Sequence, residues 1–192
     1  MIHPVQKKKS DPVGVKEPSI ETLIKALSSL KDKPREAARH ALVSMGKPAL
    51  PSLIKALKSK NTLARWEAAK ALNEIADPDT APILVGALED DEFDVRWLAA
   101  EGLTKMNIKG LEPLLEALER RGDSAFLLEG AHHVFHDLAK GGLRKSLAPV
   151  LAALEFLEPG QGVLWASRHE FAVEVPLAAR QALEMLEKLK KS

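Results

Sequence analysis

The chain predicts an all-α solenoid, a right-handed superhelix of about five antiparallel helix pairs, and three observations carry that prediction. First, one short unit recurs: LARWEAAKAL from Leu63 and DVRWLAAEGL from Asp94 place Arg65 and Arg96 31 residues apart, and KPREAARHAL places Arg35 30 residues before Arg65. A recurrence of about 30 residues is the mark of stacked helical repeats. Second, small or apolar residues follow each arginine at offsets three, six, seven and ten. These are Ala38, Ala41, Leu42 and Met45, then Ala68, Ala71, Leu72 and Ile75, then Ala99, Gly102, Leu103 and Met106. At about 100° per residue they share one helical face, and alanine and glycine there let neighbouring helices approach closely. Third, only 4% of the 192 residues are aromatic and none is tyrosine, which suits Ala- and Leu-rich helices better than sheets.

Taken in order, residues 1–17 carry prolines, the run Lys7-Lys8-Lys9 and no apolar period. They read as a disordered tail ahead of a solenoid over 18–192. Ser19 is placed to cap a first helix that buries Ile20, Leu23, Ile24, Leu27 and Leu30. Asp32-Lys33-Pro34 breaks the chain before a second helix that Gly46 terminates. The second pair is expected over 49–58 and 62–76, capped at Asn61 or Thr62, and the third over 80–88 and 92–106. Leu27, Leu57, Leu88 and Leu118 recur at 30, 31 and 30 residues in the first helices, so a fourth pair begins near Lys109. Its second helix starts two residues late, which puts Ala131, Val134, Phe135 and Leu138 on the core face. A fifth first helix, 143–157, aligns through Leu154. Its partner starts at Pro176, after an irregular insert over 158–175 that reads as a cap on the last pair.

These helix pairs, with the D-x-x-V-R-x-x-A-A-x-x-L pattern of DDEFDVRWLAAEGL at 90–103 and NTLARWEAAKAL at 61–72, resemble HEAT repeats in the short form also seen in phycobilin lyase subunits. The resemblance is good over 18–106 and looser beyond. It implies a binding scaffold whose second helices line a concave groove, and it implies that Arg35, Arg65 and Arg96 form a structural ladder by pairing with acidic residues of neighbouring turns.

Offsets one, five and eight after the arginine point away from the core. On successive rungs they give Glu36, His40 and Val43, then Trp66, Lys70 and Asn73, then Trp97, Glu101 and Thr104, then Glu129, His133 and His136. Trp66 and Trp97 on adjacent rungs suggest an interaction surface, or else two indoles lying flat across inter-rung gaps. The partner-binding set is accordingly Trp66, Lys70, Asn73, Trp97, Glu101, His133 and His136. Glu129, His132, His133 and His136 are spaced as metal ligands would be on one helix. They lack an H-E-x-x-H pattern, and His169-Glu170 is one such pair where HEAT hydroxylases related to deoxyhypusine hydroxylase use several. The cluster is read as a polar groove lining, with no metal or other cofactor.

Three functional classes are separable on this basis. A scaffold or adaptor for a protein or peptide partner is favoured. A HEAT-fold enzyme or tetrapyrrole-handling lyase acting through the His/Glu cluster is the alternative, although no phosphate loop or nucleophile elbow is present. A nucleic-acid binder is disfavoured by a net charge of +1 and by a groove holding Glu36, Glu101 and Glu129 against Lys70. No apolar run reaches the ~20 residues of a membrane span. With no cysteine, a cytoplasmic protein is expected.

Overall fold

The computed structural model describes residues 18–154 and 168–191, with side chains from Glu174 onward in the last segment. The expected tail at 1–17 lies outside the described residues, as does the part of the insert up to Ser167. Ten α-helices follow one another among the described residues: α1 Ile20–Ala26, α2 Asp32–Met45, α3 Leu50–Ala56, α4 Thr62–Ile75, α5 Ala81–Ala87, α6 Phe93–Lys105, α7 Ile108–Arg121, α8 Ala125–Leu138, α9 Arg144–Leu154 and α10 Arg168–Lys191. There is no strand among the described residues. Consecutive helices pair, and the second helices stack as α2, α4, α6 and α8, giving an all-α solenoid of helix pairs.

Local chemistry sets the boundaries. The Ser19 hydroxyl accepts the Thr22 N–H, Asn61 Oδ1 accepts the Ala64 N–H at 3.0 Å, and the Ser124 hydroxyl accepts the Leu127 N–H, each satisfying one orphan donor of a first turn. Gly46 ends α2 at a φ of 62°, a left-handed value that costs glycine little. Asp32-Lys33-Pro34 is not a break, because Pro34 lies in the first turn of α2, where its missing N–H leaves no hydrogen bond unmade. Leu30 sits beyond the end of α1 and is 89% exposed, contrary to the expected burial.

The repeat leucines Leu27, Leu57, Leu88, Leu118 and Leu154 are all buried, and so are Ala131, Val134, Phe135 and Leu138 in the delayed register of α8. Gly102 and Gly110 show how closely the layers approach. A Cβ on Gly102 would lie 3.4 Å from the Asn73 Cα, and one on Gly110 would lie 2.2 Å from the Leu103 carbonyl oxygen.

The arginine ladder is present and has a recurring joint. In each rung the guanidinium Nη1 donates to a carbonyl six residues back: Arg35 to Ser29, Arg65 to Ser59 and Arg96 to Asp90, at 2.8, 3.1 and 2.9 Å. That bond ties the end of each first helix to its partner. The other donors reach carboxylates. Arg35 Nε donates to Glu67 on the next rung at 2.7 Å, and Arg65 donates to Asp90 at 2.9 and 3.1 Å. Arg121 occupies the place equivalent to Asp90 one rung on. Arg96 lies instead over the Phe126 ring, 4.2 Å from its centroid.

The last pair departs from the stack. α9 packs beside α8, while α10 lies mainly against α7 and α9, antiparallel to α7. Arg180 reaches Glu119 at 2.7 Å and Lys190 pairs with Glu112, and the Pro176 ring fills the space beside Gly122. α10 therefore enters the first-helix layer. Residues 168–175, expected within an irregular insert, are the first turns of α10, and Pro176 is inside the helix rather than at its start.

Candidate functional site

The exposed stripe of α6 carries Phe93, Arg96, Trp97 and Glu101, residues i, i+3, i+4 and i+8 of one helical face. Phe126, His133 and Asp137 face it from α8, and Trp66 and Lys70 follow on α4. Trp97 is 46% exposed, Phe93 55% and Phe126 45%. Trp97 lies against the His133 ring with centroids 4.4 Å apart and against Phe93 at 6.2 Å. Arg96 bridges the Phe93 and Phe126 rings, at 5.6 and 4.2 Å from their centroids. The result is a continuous surface run, Phe126–Arg96–Phe93–Trp97–His133, across two rungs.

Its polar end is equally well defined. His133 Nε2 stands 3.2 Å from Glu101 Oε1 and 3.8 Å from Asp137 Oδ2. Lys140 Nζ donates to Asp137 Oδ1 at 2.9 Å. That hydrogen bond, outweighing the cost of burial, holds the Asp137 carboxyl below the usual carboxylate range. His136 Nδ1 lies 3.7 Å from the same oxygen, and its ring stacks beside His132 with centroids 6.1 Å apart.

Burial, then the neighbouring His136 and His133, push the His132 imidazole below its ordinary value. The folded chain then binds fewer protons at this site than the unfolded chain between the lowered value and ~6.5. Stability is therefore full above that window and is lost as pH falls through it. Thermal melts between pH 8 and 5 are expected to show this loss, and His132→Gln to flatten it. An unchanged slope in the variant would assign the effect elsewhere.

The structure sorts the expected site residues. Trp97, Glu101 and His133 come together. Trp66 is half-buried against the core with the Lys70 ammonium 4.9 Å from its ring centroid, so the outward face of that rung is a lysine-covered indole. His136 is exposed beside the cluster. Asn73 leaves the surface: it is 6% exposed, because side-chain-free Gly102 brings the α6 backbone onto it. Of Glu129, His132, His133 and His136, spaced as a ligand set would be and read as a polar lining, His133 alone belongs to the convergent group found among the described residues, with Glu101 and Asp137. His169 has no described side chain, and Glu36 and His40 are exposed on the first rung.

Sequence reasoning missed Phe93, Phe126 and Asp137. Phe126 stands 30 residues after Arg96, two positions before Leu128, which holds the ladder place in the delayed register, and Asp137 is four residues after His133. Both spacings were available as signals.

A family model described as HEAT repeats matches residues 20–104. Residues 20–104 are HEAT repeats. The HEAT units thus comprise α1–α6 and include Trp66, Trp97 and the arginine ladder, whereas the His133 helix lies beyond the matched segment. No curated protein matches the chain. Among 15 matching solved chains is the crystal structure of an engineered protein from the Northeast Structural Genomics Consortium. It is 19% identical, covers 88% of this chain and 79% of its own, and superposes with a TM-score of 0.44. No helix among the described residues is long and apolar enough to cross a membrane.

Proposed function

We propose that this helical repeat scaffold is a cytoplasmic adaptor that grips a protein or peptide partner on the second-helix layer, anchored at Trp97. The observation that carries the reading is the exposed run Phe126–Arg96–Phe93–Trp97, in a chain where the described Phe135 is fully buried. Aromatic and arginine side chains dominate interface hot spots because they give large contact area at small entropic cost. A contiguous exposed apolar patch is uncommon on a surface with no binding role. Trp66 with Lys70 on α4 extends the surface to the adjacent rung, and Lys70 and Glu101 set the partner's orientation by charge.

The test is capture of the partner by wild-type and variant chains. Trp97→Ala and Phe126→Ala are each expected to weaken binding tenfold or more. Because both rings are about half in water, each should cost less than the ~3–5 kcal/mol of an emptied aromatic core site. Capture that survives both substitutions would remove the aromatic run from the interface. A core-sized loss of stability in Trp97→Ala would make that residue a packing element.

A further inference from the structure

We propose that Glu101, His133 and Asp137 form a binding site for one first-row divalent metal ion, held by a nitrogen and two carboxylate oxygens with its remaining positions open to water. The three residues converge from two helices, Glu101 from α6 and His133 and Asp137 from α8, and each offers one ligand atom within 4.8 Å of the other two. The imidazole nitrogen is 3.2 and 3.8 Å from the two oxygens. Around an ion at ~2.0–2.2 Å from each ligand, neighbouring ligand atoms stand roughly 3–3.5 Å apart. The two contacts of the imidazole already stand near that spacing, the widest separation in the cluster has to close by up to about 1.3–1.8 Å, and the side chains are 25–35% exposed, with room to turn.

Hydrogen bonding alone leaves the cluster mismatched. A neutral imidazole offers Nε2 a single proton, while two carboxylate oxygens face that nitrogen. One carboxylate can accept that proton, and the other faces the nitrogen with no second proton there to share. Replacing the Nε2 proton with a divalent cation gives all three atoms a shared partner. The surroundings favour this exchange: Lys140 occupies Asp137 Oδ1, which aims Oδ2 at the imidazole, and the Trp97 ring packs on His133 and restrains its orientation. Such orienting contacts behind the ligands are what metal sites commonly require. With Lys140 counted, two carboxylates leave the locality at −1 before the ion arrives. A mixed nitrogen and oxygen set suits zinc, iron(II) or manganese(II) better than calcium.

This inference stands apart from the partner reading, because it is tested on the isolated chain. Full-length protein stripped with chelator is titrated with zinc by calorimetry, and with cobalt(II) by following tryptophan fluorescence. One equivalent of zinc is expected to bind. Glu101→Gln and Asp137→Asn, which keep side-chain shape, should each weaken it at least tenfold. Cobalt(II) should quench the emission contributed by Trp97, and Trp97→Phe should lose that component while still binding zinc. The double variant His132→Ala/His136→Ala should bind zinc as wild type does. Loss of binding in that double variant, with the Glu101 and Asp137 variants unaffected, would place the ion on the other histidine pair and overturn the proposal. Absence of stoichiometric binding to wild-type protein would overturn it as well.

Discussion

Glu67→Ala is expected to lower stability by about 3–5 kcal/mol, the loss seen when one member of a buried ion pair is removed. Glu67 is fully buried. One oxygen accepts Arg35 Nε at 2.7 Å, and the other lies 3.0 Å from Arg39 Nε. The second contact lacks hydrogen-bond alignment, so it acts through charge. Arg35 retains Asp32 and the Ser29 carbonyl, and Arg39 retains Glu74. Even so, each guanidinium loses the carboxylate that offsets its desolvation. At ~2–4 °C per kcal/mol for a chain of this size, the melting temperature should fall by roughly 6–20 °C. Replacing Arg39 and Glu67 together by leucine should recover part of the loss, since apolar packing often substitutes for a buried pair. A fall of under about 1 kcal/mol for Glu67→Ala, measured by urea unfolding, would mean that water reaches the guanidinium groups.

Gly110→Ala should be nearly as damaging, at or above the upper end of the ~1–3 kcal/mol typical of overpacking. The new methyl carbon would lie 2.2 Å from the Leu103 carbonyl oxygen, and neither partner is a side chain able to rotate away. α7 would have to lift from the end of α6. Gly86→Ala on α5 provides the contrast, because a Cβ there meets nothing within 4 Å and alanine is favoured over glycine inside a helix by ~0.5–1 kcal/mol. Thermal melts of the two variants should therefore move in opposite directions. A Gly110→Ala chain as stable as wild type would show that the α6–α7 junction can open without cost.

Much of the fold was legible because it depends on residues that repeat. The leucines at 30–31 residues fix the first helices, and the arginines fix the turns between them. What escaped reading breaks the repeat. Glu67 aligns with Ala37 and Leu98, and Arg39 aligns with Ala69 and Ala100. A charged residue at an otherwise apolar repeat position signals a buried pair, but its partner is visible only once α2 lies on α4. Asn73 was placed on the surface by helical angle alone, which takes no account of how closely a glycine on the next rung lets the backbone approach. Trp97 and His133 share an expected face, and they do meet. The aromatic run needed Phe93 and Phe126, which lie outside the repeat offsets used to define that face. The side on which α10 packs could not be read, because an amphipathic stripe fits either layer equally well.

The swapped position of α10 also gives the array a direction. In a stack held by nearest neighbours, an end unit is covered on one side only and opens at the lowest free energy. The first described helix, α1, has seven residues with Leu23 buried. At the other edge, α10 is 24 residues long, seats Val175, Ala179, Ala182 and Leu186 in the core, and closes loops of 61 and 78 residues through Arg180–Glu119 and Lys190–Glu112. Loops that long close late in folding, and the buried apolar residues of α10, packed against α7 and α9, hold that edge in place. Unravelling should therefore proceed from α1 toward α10, leaving the Trp97–His133 surface near the end that opens last.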